Sequence, residues 1–302
     1  MTHLPFTKVH GLGNDYVLVD ARERAVDDPP GLARRVSNRH RGVGADGLIL
    51  LLSADESAGA HLRMRMFNAD GSEAEMCGNG IRCLCKYAYD HGLIRADPMR
   101  IQSGADVLTL RYQTGGDGKV RSVTVDMGEP KWGADEVGVR IDRLGSLFAT
   151  LLKTEAGGPL VFDRPGAGEP AEGAFNARWL SMGNPHMVFF CRDVSGIQLD
   201  RIGPLIEHHE AFPQRINVQF VERLSASEVI MRTWERGSGA TQACGTGAAA
   251  VCVAGAADGV TGRELLAHLP GGDLELRWDE ASGHVFLTGP AVEVFSGNWP
   301  LR

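Results

Sequence analysis

The sequence predicts an α+β architecture made of two similar halves. Three features predict it: many strand-length apolar runs, few helical stretches that do not alternate strictly with them, and an internal repeat. A chain of 302 residues is long for one core and comfortable for two domains. Apolar residues make up 43% and charged residues 23%, the balance of a folded chain.

The strand-length runs are Tyr16–Val19, Leu48–Leu52, Leu62–Phe67, Val107–Tyr112, Val120–Val125, Met187–Phe190, Ile216–Val221, Val229–Trp234, Leu274–Trp278 and Val285–Thr288. Turn-forming Gly, Asp, Asn and Pro separate many of them. Helices are expected over Pro30–Arg39, Gly78–His91, Leu199–His209 and Gly245–Ala257. The segment Thr154–Ala174, rich in Gly, Pro and Ala, reads as a surface loop or insertion.

The repeat carries the most information. Met64-Arg65-Met66-Phe67-Asn68, eight residues and Cys77-Gly78-Asn79-Gly80 match Met231-Arg232-Thr233-Trp234-Glu235, eight residues and Cys244-Gly245-Thr246-Gly247. Both blocks are offset by the same 167 positions. Gly13-Asn14, ahead of one strand, is echoed by Gly183-Asn184 ahead of another, at an offset of 170. Each half therefore reads as strand, loop and then Cys-Gly-x-Gly opening a helix. In the first helix Ile81, Leu84, Cys85 and Ala88 share one apolar face, while the second is apolar on every side, as an enclosed helix should be.

A cysteine at a helix start, followed by glycine, has distinctive chemistry. Glycine lets a ligand approach the backbone, the unpaired N–H groups bind an anion, and the helix dipole favours a thiolate. Two such sites in matched halves suit a carboxylate substrate with one sulfur on each side of its α-carbon. One thiolate removes a proton and the opposite thiol returns another, with the carbanion stabilised by hydrogen bonds to the carboxylate.

Other readings fare less well. Cys83, Cys85, Cys191 and Cys252 read as small buried hydrophobes. Cys77, Cys83, Cys85 and His91 fit no usual zinc spacing, so no metal is expected. Gly42-Val-Gly44-Ala-Asp-Gly47 matches a dinucleotide fingerprint only as a string, because a strand follows it where a helix is required. The five lysines sit in no evident Schiff-base context, so the chemistry is expected to need no cofactor. A net charge of −7 argues against a nucleic-acid partner. The absence of a basic-apolar leader and of any apolar run near ~20 residues argues against a membrane, and the low cysteine density suggests a reducing, cytoplasmic setting.

Several motifs occur together in order: His10-Gly-Leu-Gly-Asn-Asp15, Phe67-Asn-Ala-Asp-Gly-Ser72, Met76-Cys-Gly-Asn-Gly80, Met182-Gly-Asn-Pro-His186, Glu235-Arg-Gly237 and Thr241-Gln-Ala-Cys-Gly-Thr-Gly247. With these the chain resembles the diaminopimelate epimerase family from Phe6 to its end, apart from Thr154–Ala174. The resemblance implies two pseudo-twofold-related α/β domains, each a curled sheet around a central helix, with the active site in the cleft. The N-terminal domain would be residues 1–126 plus 289–302, and the C-terminal domain residues 127–288. The reaction would interconvert LL- and meso-diaminopimelate for lysine and peptidoglycan synthesis.

Carried over residue by residue, the resemblance makes Cys77 and Cys244 the acid–base pair. Gly78, Asn79, Gly245 and Thr246 would hold the reacting carboxylate. Asn14, Asn68, Asn184, Asn217 and Arg236 would grip the substrate, largely at its distal end, and His186 and Glu235 would flank the reacting centre. Gly47 stands where many bacterial members have Gln, so no side-chain contact carries over there. Phe295 replaces a tyrosine associated with dimer contacts, which leaves a homodimer open. The nearest rival is a related racemase of proline, hydroxyproline or histidine. Such a site has less need of a second carboxylate grip, so Arg236 and the asparagines favour the longer substrate. A thiol redox or binding protein, a different class, needs one reactive cysteine and no repeat.

Overall fold

The computed structural model describes residues 3–74, 77–153 and 177–301. The chain divides into two compact units, residues 1–126 with 288–302, and residues 127–287.

The first unit opens with a hairpin of β1 (His3–Gly11) and β2 (Asn14–Asp20). Its two-residue turn, Leu12-Gly13, has φ of 57° and 80°, the left-handed turn whose twist suits paired strands. Glycine adopts that φ freely, and the turn sets Asn14 at the first position of β2. Helix α1 (Pro29–Ser37) crosses over so that β3 (Gly47–Ser53) lies parallel to β2. β4 (Leu62–Asn68) then runs antiparallel to β3, with the short β5 (Glu73–Ala74) beside it. After α2 (Gly78–Asp90), β6 (Met99–Ser103) returns parallel to β4, and β7 (Asp106–Thr114) and β8 (Val120–Asp126) follow antiparallel.

The second unit begins with α3 (Ala134–Val137) and α4 (Leu144–Lys153), then repeats the same plan. β9 (Ala177–Ser181) and β10 (Pro185–Cys191) pair antiparallel. Helix α5 (Leu199–Glu207) crosses to β11 (Asn217–Ser225), parallel to β10. β12 (Glu228–Glu235) and the short β13 (Gly239–Thr241) follow antiparallel and precede α6 (Gly245–Ala257). β14 (Glu264–Leu269) returns parallel to β12, β15 (Gly272–Trp278) turns back on it, and β16 (Val285–Pro290) comes next. β17 (Val292–Pro300) rejoins the first unit, antiparallel to β1. The repeat read in the sequence is thus a repeat of strand order and direction, and the α+β class holds.

Each central helix is enclosed by its own sheet. Ile81, Leu84, Cys85 and Ala88 of α2 are all buried, and α2 packs on β1, β8 and β17. Ala248 to Ala254 of α6 are buried without exception, against β9, β10, β11 and β15. Removing this apolar surface from water stabilises each unit by roughly 25 cal/mol per Å². A further core lies on the other face of each sheet, under α1 around Leu32, Leu48 and Phe67, and under α5 around Phe189, Ile202 and Phe220.

All ten expected strands lie on observed strands apart from Ile216, one residue ahead of β11, and the four expected helices are present, with α1, α2 and α5 stopping one or two residues early. β1, β5, β6, β9, β13, β14, β17, α3 and α4 were not expected. β17 shows why: Val292, Val294 and Phe295 are exposed and polar residues interrupt it, so no apolar run marks the strand. Residues 42–47 lead into β3, not into a phosphate-binding helix, in keeping with the rejected nucleotide reading. Thr154–Ala174 lies outside the described residues.

Candidate active site

Cys77 and Cys244 occupy the same position in their units. Each is the N-cap of the central helix, in extended backbone with φ of −141° and −125°. A helix start leaves N–H groups without intrahelical acceptors, which suits an anion. Cys77 Sγ accepts one of them, from Gly80, at 3.3 Å.

The two glycines of each motif do different work. A Cβ on Gly247 would lie 2.8 Å from Gln219 Nε2 and 3.1 Å from Cys244 Sγ, so the fourth motif position must be glycine for the sulfur to sit where it does. A Cβ on Gly80 would come within 3.0 Å of Ile49 Cδ1. A Cβ on Gly78 would meet nothing within 4 Å, so packing does not require that glycine, and the space beside it is open.

The four other cysteines behave as expected of buried hydrophobes. Burial pushes the thiols of Cys83, Cys85, Cys191 and Cys252 up to about 12, which keeps them protonated.

In the first unit a polar network reaches the cysteine from below. Asn14 Oδ1 accepts from Asn79 Nδ2 at 3.1 Å and from the Tyr16 hydroxyl, while Asn14 Nδ2 donates to Asp46 at 2.8 Å. The Tyr16 hydroxyl also lies 2.9 Å from Cys77 Sγ. Arg82, one turn into α2 and wholly buried, donates to Asn79 Oδ1 at 2.8 Å, to the Gly78 carbonyl at 3.1 Å and to the Pro290 carbonyl at 3.4 Å. Asn68, at the end of β4, donates to Ser72 Oγ at 3.0 Å.

In the second unit the counterpart network runs through Asn184. Its Oδ1 lies 2.7 Å from His186 Nε2, and its Nδ2 donates to Thr246 Oγ1 at 3.3 Å. Thr246 Oγ1 is 3.6 Å from Cys244 Sγ. Burial, with the Arg236 charge, pushes the His186 imidazole down to about 3, so it is neutral. Asn217 stands opposite His186 on β11, donates to the Pro185 carbonyl at 2.8 Å and accepts the Arg236 N–H at 2.9 Å. The Arg236 guanidinium donates to the Gln214 carbonyl at 3.1 Å, and Glu235 ends β12 opposite Gly239.

The structure thus gathers Asn14, Gly78 and Asn79 about Cys77, and His186, Asn184, Gly245 and Thr246 about Cys244, with Asn217, Glu235 and Arg236 at the adjoining strand ends. Sequence reasoning passed over Tyr16, Asp46, Arg82, Glu207 and Gln219. Arg82 is a charge between Ile81 and Cys83 in a helix whose first turns are all buried, and only the fold reveals that burial.

The folded chain resembles solved structures along its whole length. A phenazine biosynthesis protein of the PhzF family from Bacillus anthracis superposes with a TM-score of 0.71 at 15% identity, covering 100% of both chains. A hydroxyproline epimerase from Agrobacterium vitis superposes with a TM-score of 0.66 at 16% identity, covering 99% of this chain and 91% of that one. Such likenesses establish the fold. The class of the chain, an isomerase that epimerises, rests on its sequence relatives and not on these likenesses.

The sequence relatives narrow the class. The chain belongs to the diaminopimelate epimerase family, whose model matches residues 6–133 and 178–294. The diaminopimelate epimerase of Moorella thermoacetica is 46% identical over 297 residues, covering 98% of this chain and 99% of that one. That of Pelotomaculum thermopropionicum is 47% identical over 304 residues, with the same coverage. That of Methanococcus maripaludis is 43% identical over 294 residues, covering 97% and 99%.

Proposed function

We propose that this chain interconverts LL- and meso-diaminopimelate by proton transfer between Cys77 and Cys244, serving lysine and peptidoglycan synthesis. The observation that carries the reading is the matched pair of N-cap cysteines on the central helices of two units with the same strand order. One sulfur, as thiolate, takes the α-proton, and the other, as thiol, delivers a proton to the opposite face of the same carbon. The N–H groups of Gly78-Asn79 and Gly245-Thr246 hold the reacting carboxylate and stabilise the charge that develops on it.

Asn14, Asn68, Asn184, Asn217 and Arg236 grip the substrate, largely at its distal amino-acid end, and Arg236 supplies the planar fork that a second carboxylate requires. His186 and Glu235 flank the reacting centre, His186 as a neutral group. The proposal takes the two domains as residues 1–126 plus 289–302, and 127–288, one residue from the boundary of the compact units, and includes a homodimer. No helix among the described residues is long and apolar enough to cross a membrane, and a cytoplasmic setting fits two working thiols.

The test is incubation of the purified, reduced protein with LL-diaminopimelate and separation of the stereoisomers. Meso product is expected from the natural chain and none from Cys77→Ala or Cys244→Ala, both folded by circular dichroism. No meso product from the natural chain sinks the substrate assignment. Turnover in either alanine variant sinks the cysteine pair.

A further inference from the structure

We propose that Tyr16 is a positioning residue that governs the proton on Cys77, its hydroxyl hydrogen turning from Asn14 to the sulfur when the thiol ionises. The proposal rests on the reading of Cys77 as an acid–base group. Tyr16 is 1% exposed, and its hydroxyl lies within hydrogen-bond reach of both Cys77 Sγ, at 2.9 Å, and Asn14 Oδ1.

A phenol has a single hydrogen to give, and an amide oxygen only accepts. While Asn14 Oδ1 takes that hydrogen, the sulfur must be the donor, so this arrangement belongs to the thiol. Once Cys77 has lost its proton the sulfur can only accept, and the hydroxyl turns to it. Asn14 Oδ1 then keeps its second donor, Asn79 Nδ2 at 3.1 Å. Neither state strands a buried polar atom, so rotation about one C–O bond serves both halves of a proton-transfer cycle.

The surroundings within this unit keep the phenol a donor. Burial and the neighbouring sulfur push Tyr16 well above the ordinary phenol range, so the hydroxyl stays protonated while Cys77 titrates. Arg82, on α2, faces Cys77 and Tyr16 with a positive charge that favours the thiolate. The Asp46 charge, ahead of β3, pushes the Tyr16 hydroxyl further up. Cys83 is held as a thiol by burial, with Lys86 of α2 and Glu293 of β17 acting on it in opposite senses. The Gly80 N–H, 3.3 Å from Sγ, favours the thiolate as well.

A hydrogen bond to an ionised acceptor is roughly twice as strong as one between neutral groups, so losing the hydroxyl favours the thiol. The test is the pH dependence of iodoacetamide alkylation at Cys77 in the full-length protein, read by mass spectrometry of the Cys77 peptide. Tyr16→Phe is expected to raise the midpoint by about one pH unit, an about tenfold slower reaction at a fixed pH below it. Protein made with 3-fluorotyrosine, a stronger donor, is expected to move the midpoint down, Tyr16 being the tyrosine whose hydroxyl lies 2.9 Å from the sulfur. An unchanged midpoint, or a shift of the opposite sign, in either protein overturns the proposal. If the phenylalanine variant does not fold, the fluorotyrosine protein decides alone. Alkylation needs no turnover, so an active Cys77→Ala variant would end the catalytic reading while the Tyr16 result stood or fell by itself.

Discussion

Asn184 fixes the tautomer of His186: its Oδ1 lies 2.7 Å from Nε2, and an amide oxygen accepts only, so Nε2 carries the proton and Nδ1 the lone pair. The Nδ1 edge is buried beside Gln219, and burial holds the imidazole neutral with a pKa pushed down to about 3. The unfolded chain therefore binds this proton first, near its ordinary value of 6.5. The contribution to stability is whole above that value and is lost as pH falls toward 3. Long-range nitrogen NMR should find the Nε2–H tautomer with no titration between about pH 5 and 9. A His186 titration inside that window would show the imidazole to be solvated and would undo the tautomer assignment.

The two motif glycines should respond oppositely to alanine. At Gly247 the new methyl must displace Gln219 Nε2 or Cys244 Sγ, from 2.8 and 3.1 Å, so Gly247→Ala is expected to lose about 1–3 kcal/mol of stability and most activity. At Gly78 the methyl meets no protein atom within 4 Å, so Gly78→Ala should melt at or above the natural temperature. Its turnover should nevertheless fall, because the methyl occupies the space where a carboxylate reaches the first N–H groups. Thermal melts read beside kcat/KM separate the cases. An active Gly78→Ala enzyme would remove the anion from that helix start.

Much of this site could be read from the sequence because a helix start is a local event. Cys-Gly-x-Gly, repeated at constant offset, needs only neighbouring residues to declare both the cap and the glycine that clears the sulfur. The fold class was readable for the same reason, since alternating strands such as β4 and β12 announce themselves by their apolar runs. Tyr16 and Arg82 were not readable. Tyr16 meets Cys77 across 61 positions and Arg82 meets the Pro290 carbonyl across 208, and nothing in either local pattern marks such a partner. Strands such as β17, half exposed and interrupted by polar residues, are defined by their pairing with β1 more than by composition.

Glu207 holds the loop that carries Arg236. Its buried carboxylate accepts from Trp234 Nε1 at 2.7 Å and from the Gly237 N–H at 3.0 Å, and the Trp234 ring lies against Gly203 of the same helix. Burial, the largest single influence, would raise this carboxyl, but the two hydrogen bonds together with the charges of His208 and Arg215 outweigh it and hold it below its ordinary range. Its stabilisation is therefore present above the ordinary carboxylate range and is lost as pH falls through the lowered value. In Glu207→Gln one donor faces an amide NH₂, at a cost of about 1–3 kcal/mol. The expected kinetic result is a raised KM, with kcat less affected, because Arg236 is next to the released Gly237. An unchanged KM would show that the loop needs no such anchor.

The mechanism itself is tested by deuterium. If one cysteine removes the α-proton and the other supplies a different one, the supplied proton comes from a thiol already exchanged with solvent. Starting from one stereoisomer in deuterium oxide, each new product molecule should carry deuterium at the inverted carbon. Early in the reaction the remaining substrate should stay largely unlabelled, because the abstracting sulfur still holds the original hydrogen and returns it to the face it left. A single base serving both faces would instead carry some of that hydrogen across into product. Cys77 and Cys244 head separate helices in separate units, and this matched pair is what motivates two working thiols. Mass spectrometry of the separated isomers at low conversion gives the answer. Substantial unlabelled product would reduce the pair to one working thiol, and the matched cap of the other helix would need a different explanation.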